Sequence, residues 1–213
     1  MRIAANLDVL FDDKPLLDRV LAARLAGFDG VELRHPTTVA TISLAQTLER
    51  AALPLARLAL EVGGEGFESA LQQLLTDSAM LRPQQVGVVV DIRSATSESQ
   101  LRRAAEAFAV LGIGVLCGGA SGAGDAAGLL ALVEQVNHPN CRVQLALTGE
   151  ARDAATIEPF VGRIGYLVLD RPPVDGQGSA LIEALRCVGY RGWLGVGCPV
   201  AEALLSRRSH RPA

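Results

Sequence analysis

Aromatic side chains make up only 4% of this 213-residue chain, and basic residues do not outnumber acidic ones. The first shortage removes the stacking platforms on which single-stranded nucleic acids are held. The second leaves a net charge of -3 and no general basic face to displace counterions from phosphates, so no nucleic-acid partner is expected. The four cysteines (Cys117, Cys141, Cys187, Cys198) lack C-x-x-C spacing, and three lie in or beside predicted strands. They read as reduced, small hydrophobes, and isolated thiols without histidine partners make a poor soft-metal site. Long apolar runs are missing too. The stretch from Val110 to Val133 is broken by glycines and by Asp125, which excludes a membrane span. Asn6 and Asp8 stand where a signal peptide stays apolar, so the start reads as a first strand and the chain as a cytoplasmic protein with no membrane partner.

With 49% hydrophobic and 20% charged residues, the chain can bury a sizeable core. Short aliphatic runs alternate with stretches of helical period, the pattern of repeated βα units. Strands are expected near 2–7, 29–34, 55–61, 85–91, 113–118, 141–147, 165–170 and 192–198. The intervening helices carry single apolar stripes, such as Phe67, Leu71, Leu74 and Leu81, or Leu101, Ala104, Ala105 and Phe108, or Ala154, Ile157, Val161 and Ile164. Gly27, Gly112 and Gly189 stand at helix stops just before a strand. The expected fold is α/β, a compact single (β/α)8 TIM barrel over residues 1–205 with a basic, frayed tail at 206–213; an open doubly wound sheet is the competing arrangement.

Barrel chemistry resides at the C-terminal strand ends and the loops after them. Polar residues gather there in the first half of the chain: Asn6 and Asp8, then Glu32, Arg34 and His35, then Glu61, then Asp91 and Arg93, with Asp170 and Arg171 after strand seven. Arg34, Arg93 and Arg171 would share the rim and suit a carboxylate or phosphate; alternatively each pairs with a nearby acid, Glu32 with Arg34 or Asp91 with Arg93. His35 has the pKa of a general base, and Glu32 with Glu61 would make an acid and base pair if both point inward. The glycine-rich stretch 118–128 offers backbone N–H groups to an anion, but Asp125 opposes one, and a loop filled with small residues is the plainer reading. The ends of the later strands are nearly bare: Cys117-Gly118-Gly119, Leu145-Ala146-Leu147, Val168-Leu169-Asp170 and Val196-Gly197-Cys198.

Three stretches, Ala4-Ala5-Asn6-Leu7-Asp8-Val9-Leu10-Phe11, Ala26-Gly27-Phe28-Asp29-Gly30-Val31-Glu32-Leu33, and Gly189-Tyr190-Arg191-Gly192-Trp193-Leu194-Gly195 with Pro199, resemble hydroxypyruvate isomerases of the xylose-isomerase-like barrel superfamily. The resemblance implies a divalent metal held at the ends of strands five to eight and two glutamates that move a proton between adjacent carbons. Those positions fall at or near Gly118, Ala146, Gly149, Tyr166, Val168 and Gly197, which lack the family's metal and proton-transfer groups. No metal and no cofactor are therefore expected. The reading that follows is a degenerate isomerase-like barrel, non-catalytic or binding a small anionic sugar-derived or hydroxy-acid ligand through Asn6, Arg34, Arg93 and Arg171. A metal-independent isomerase, epimerase or lyase using Glu32, His35, Glu61 or Asp91 stands beside it. So does an interaction protein, a homo-oligomer or a partner subunit, covering the glycine-rich face near strands five and six.

Overall fold

Eight short apolar runs form parallel strands that close on one another in sequence order. They are β1 (Arg2–Asn6), β2 (Gly30–Arg34), β3 (Leu55–Glu61), β4 (Gln85–Val90), β5 (Gly114–Gly119), β6 (Cys141–Ala146), β7 (Ile164–Leu169) and β8 (Trp193–Val196). Between them run α1 (Leu16–Leu25), α2 (Thr41–Ala51), α3 (Phe67–Leu81), α4 (Ser97–Ala109), α5 (Ala126–Val136), α6 (Asp153–Ile157) and α7 (Gln177–Cys187). The computed structural model describes residues 1–34, 39–61, 66–119, 126–173 and 177–198, with the side chains of Leu60, Glu61 and Gln177 excepted. The expected tail at 206–213 lies outside the described residues. Pairing of Ile3 with Leu194 and of Ala5 with Val196 joins the first strand to the last. That closure replaces the open sheet with a (β/α)8 barrel.

Alternation along each strand divides the core in two. Outward residues such as Ile3, Val31, Leu58, Val88, Val143 and Leu194 pack with helix residues such as Leu44, Leu74 and Phe108 in one large apolar cluster. A second cluster, Ala4, Ala56, Leu116, Tyr166, Val168 and Trp193, fills the barrel interior. The interior is therefore packed, not an open pore.

Helix stops follow two routes. Gly27, Gly112 and Gly189 take the left-handed conformation (φ +88°, +68° and +83°), as expected from sequence. Ala52, Arg82 and Asn137 do the same at φ +51°, +49° and +47°, with no glycine to mark them. The sixth helical stripe is realised as the short α6 followed by a 3-10 turn over Glu158–Arg163, because Pro159 has no N–H to continue an α-helix. Among the described residues no helix is long and apolar enough to cross a membrane.

Candidate functional site

The middle of the barrel interior holds a polar layer. Glu32 on β2 and Arg57 on β3 are buried and paired, with Arg57 Nε donating to Glu32 Oε2 at 3.1 Å. Arg57 Nη1 donates to Gln144 Oε1 on β6 at 2.7 Å, and its guanidinium lies 5.4 Å from the centre of the Tyr166 ring on β7. Burial works against the Arg57 charge, but the Glu32 carboxylate, with a smaller contribution from Asp170, outweighs it and holds the pKa above its ordinary value. Burial, reinforced by Glu32, pushes the Tyr166 hydroxyl well above the usual phenol range, so it stays protonated. The strand pairings shift register between Val31 and Glu32 and again between Val143 and Gln144. Such bulges re-aim side chains, and here they flank the residues that form the layer.

Three glycines make space for it. A Cβ on Gly87 would stand 3.1 Å from Arg57 Nη1, and one on Gly118 would stand 3.1 Å from Gln144 Nε2. A Cβ on Gly195 would overlap Glu32 Oε2 and approach Tyr166 Cε1 to 2.8 Å. The bare end of β5 is thus the near side of a space that Gln144 occupies.

Below this layer the seam between β8, β1 and β2 is closed by Trp193. Its indole lies 4.2 Å beneath the Arg2 guanidinium and donates through Nε1 to Gln84 Oε1 at 3.0 Å. Gly30 leaves room for the indole, since a Cβ there would come within 2.7 Å of Trp193 Cη2 and 2.8 Å of the Pro54 carbonyl. The Tyr190 hydroxyl donates to the Trp193 carbonyl at 2.6 Å, over Gly192, and Ile3 N donates to Asp29 Oδ2 at 2.7 Å.

Above the layer, at the mouth, Asn6 and Asp170 flank Gly197. A Cβ on Gly197 would lie 3.2 Å from Asp170 Oδ1 and 3.4 Å from Asn6 Nδ2. Asn6 Oδ1 accepts from Asp8 N at 3.0 Å, which turns the amide donor toward Gly197. Asp8 Oδ2 in turn accepts from Arg34 N at 2.8 Å, tying the loop after β1 to the end of β2. The mouth therefore presents a donor and an acceptor side by side around a strand end without a side chain. Such a pair matches hydroxyl groups.

The sequence-derived candidates separate on this frame. Glu32 points inward, but its partner is Arg57, not Arg34, and it is fully buried. Asp91 and Arg93 pair with each other at 3.5 Å, and the Arg93 side chain is 84% exposed. Arg34 and Arg171 are exposed at the rim. His35, the Glu61 side chain and the glycine-rich residues 120–125 lie outside the described residues. Arg57, Gln144 and Tyr166 had not been singled out as a polar layer. Their signal is a polar or phenolic residue at the inward position of an otherwise apolar strand, as in Leu55-Ala56-Arg57-Leu58 and Val143-Gln144-Leu145.

A divalent cation of the kind the resemblance implies does not fit the ends of β5 to β8. Gly118, Ala146, Val168 and Gly197 offer no donor side chain there, and Gln144 already covers Gly118. Burial pushes the Cys117 thiol far above its ordinary pKa and Cys141 up to about 12, so neither supplies the thiolate that a soft metal requires. Among the described residues no three His, Cys, Asp or Glu side chains are placed to hold an ion.

No family model matches this chain, and no curated protein matches it significantly. Solved structures do. The chain is similar to an AP endonuclease, family 2 from Brucella melitensis, at 24% identity and a TM-score of 0.81 over 99% of each chain. It is also similar to D-psicose 3-epimerase with D-tagatose from Clostridium cellulolyticum H10, at 15% identity and a TM-score of 0.68, over 92% of this chain and 84% of that one. A third is a putative lyase/mutase from Burkholderia cenocepacia J2315, at 14% identity and a TM-score of 0.61, over 98% of this chain and 80% of that one. Identities this low establish the barrel and leave the reaction to the site itself.

Proposed function

We propose that this protein is a sugar-isomerase-like barrel without a working divalent-metal site, which holds a small sugar-derived or hydroxy-acid ligand at its mouth and does not isomerise it. The observation that carries this reading is that Gly118 and Gly197 offer no donor side chain at their strand ends, above an interior filled by Arg57, Glu32, Gln144 and Tyr166. Asn6 Nδ2 and Asp170 Oδ1 around Gly197 complement vicinal hydroxyls, which accept and donate in turn. Among the described groups facing the ligand space, Arg57 is neutralised by Glu32, while Asp170 adds a negative charge. That balance favours an uncharged hydroxylated end of the ligand near Gly197, with any carboxylate or phosphate turned toward Arg34 and Arg171 at the rim. The solved sugar epimerase of the same fold, crystallised with D-tagatose, supports the ligand class without fixing the sugar.

A metal-independent isomerase, epimerase or lyase is less well supported, because two of its candidate groups are engaged: Glu32 by Arg57 and Asp91 by Arg93. The test is thermal shift in the presence of chelator with D-fructose, D-tagatose, hydroxypyruvate, glyoxylate and phosphate, on the natural protein and on Gly197→Leu. Stabilisation by a sugar or hydroxy acid that survives chelation and disappears in Gly197→Leu is the expected result. Turnover of any of these compounds, or stabilisation that requires a divalent metal, would overturn the reading.

A further inference from the structure

We propose that the groove between α2 and the end of α3 is a contact surface for a second copy of this chain, related by a twofold axis that runs along the groove. The groove has a volume of about 660 Å³ and lies in the outer helical layer. One wall is a single face of α2, with Ile42, Ala45, Glu49 and Ala52 at helical spacing; the other is supplied by Met80 and Arg82 at the close of α3. Residues 53–55, leading into β3, complete the lining. Ile42 is 51% exposed and Met80 46%, so two large apolar side chains meet solvent on one groove. Single exposed apolar residues are ordinary, but a shared patch is surface that association would bury.

Charge identifies the occupant. Glu49 stands three residues before Ala52, the C-cap of α2, and Arg82 is itself the C-cap of α3. Both are exposed, and among the described residues neither makes an ion pair. The two helices run in the same sense, each returning from a strand end to the start of the next strand, so the acid and the base share one end of the groove. Rotation by 180° about the groove's length exchanges the walls and keeps the ends. It sets Glu49 of each copy over Arg82 of the other, and Met80 of each over Ala52 of the other. A twofold contact makes each such pair twice. A groove with charge of one sign would instead point to an oppositely charged partner. With two short helices on each side, the contact falls at the low end of specific interfaces, and association in the micromolar range is expected. Neither the mouth nor the buried polar layer takes part, so the contact stands apart from ligand binding.

Sedimentation equilibrium across the micromolar range, on the natural protein and on charge variants, tests the pairing. The natural protein should show a monomer–dimer equilibrium. Glu49→Arg and Arg82→Glu should each weaken it about tenfold or more, because like charges then face each other, and the double variant Glu49→Arg/Arg82→Glu should restore it. Met80→Asp should also weaken it, by placing a charge in the apolar contact. A monomer at every concentration would overturn the proposal. So would a dimer indifferent to the single charge reversals, or one that the double reversal does not rescue. If Met80→Asp does not fold, the charge exchange, confined to exposed side chains, still decides.

Discussion

Within and below the Arg57 layer, glycines stand where a Cβ would collide with a packed side chain; above it, at Gly197, a Cβ would be tight but would not overlap its neighbours. Gly30, Gly192 and Gly195 each leave a Cβ position that Trp193, Tyr190 and Glu32 respectively crowd or fill. A Cβ on Gly197 would instead stand 3.2 Å from Asp170 Oδ1 and 3.4 Å from Asn6 Nδ2, a tight fit without overlap. The stretches that resemble hydroxypyruvate isomerases contain Asp29, Gly30, Glu32, Tyr190, Gly192, Trp193 and Gly195, all in the lower seam or the buried layer. The likeness of the second and third stretches therefore reports how the barrel closes, while the first also carries Asn6 and Asp8 of the mouth. Residues at the mouth are free to differ without disturbing that closure, which is why fold and reaction separate in barrels of this type.

The largest break in the comparison should come from Gly195→Val. Its added carbons collide with a buried carboxylate and a buried ring, and we expect the variant not to reach a native fold, read as loss of a cooperative denaturant transition. Removing one member of the ion pair, as in Arg57→Met, leaves Glu32 buried and uncompensated. A loss of about 3–5 kcal/mol is expected by urea unfolding, with most of it recovered in the double variant Arg57→Met/Glu32→Leu. Tyr190→Phe removes the hydrogen bond to the Trp193 carbonyl and should cost about 0.5–1.5 kcal/mol in the same measurement. At the mouth, Gly197→Ala should cost about 1 kcal/mol or less yet weaken ligand binding, the reverse of the pattern below. Arg93→Ala removes an exposed pair, and a change within about 0.5 kcal/mol is expected.

The architecture was legible because its signals are local. Strand runs and glycine stops are written in adjacent residues, and the strand boundaries found lie within one or two positions of those expected. Stops at Ala52, Arg82 and Asn137 were not legible, since a left-handed residue other than glycine carries little signal in one sequence. The polar layer was not legible for a different reason. Arg57 is 25 residues from Glu32 and 87 from Gln144, so only closure of the barrel brings the three together. Two register shifts then decide which side chains share a level. Glu32 was visible as an inward candidate, but its partner was not. The Asp91–Arg93 contact, by contrast, spans two residues and was one of the two readings of Arg93 that the sequence offered.

The claim that the bare ends of β5 to β8 cannot hold a divalent ion is tested most directly by titrating chelator-treated protein with Mn(II) in a calorimeter. The account predicts no stoichiometric heat beyond weak surface binding. One tight site per chain, retained when competing Mg(II) is present, would contradict it.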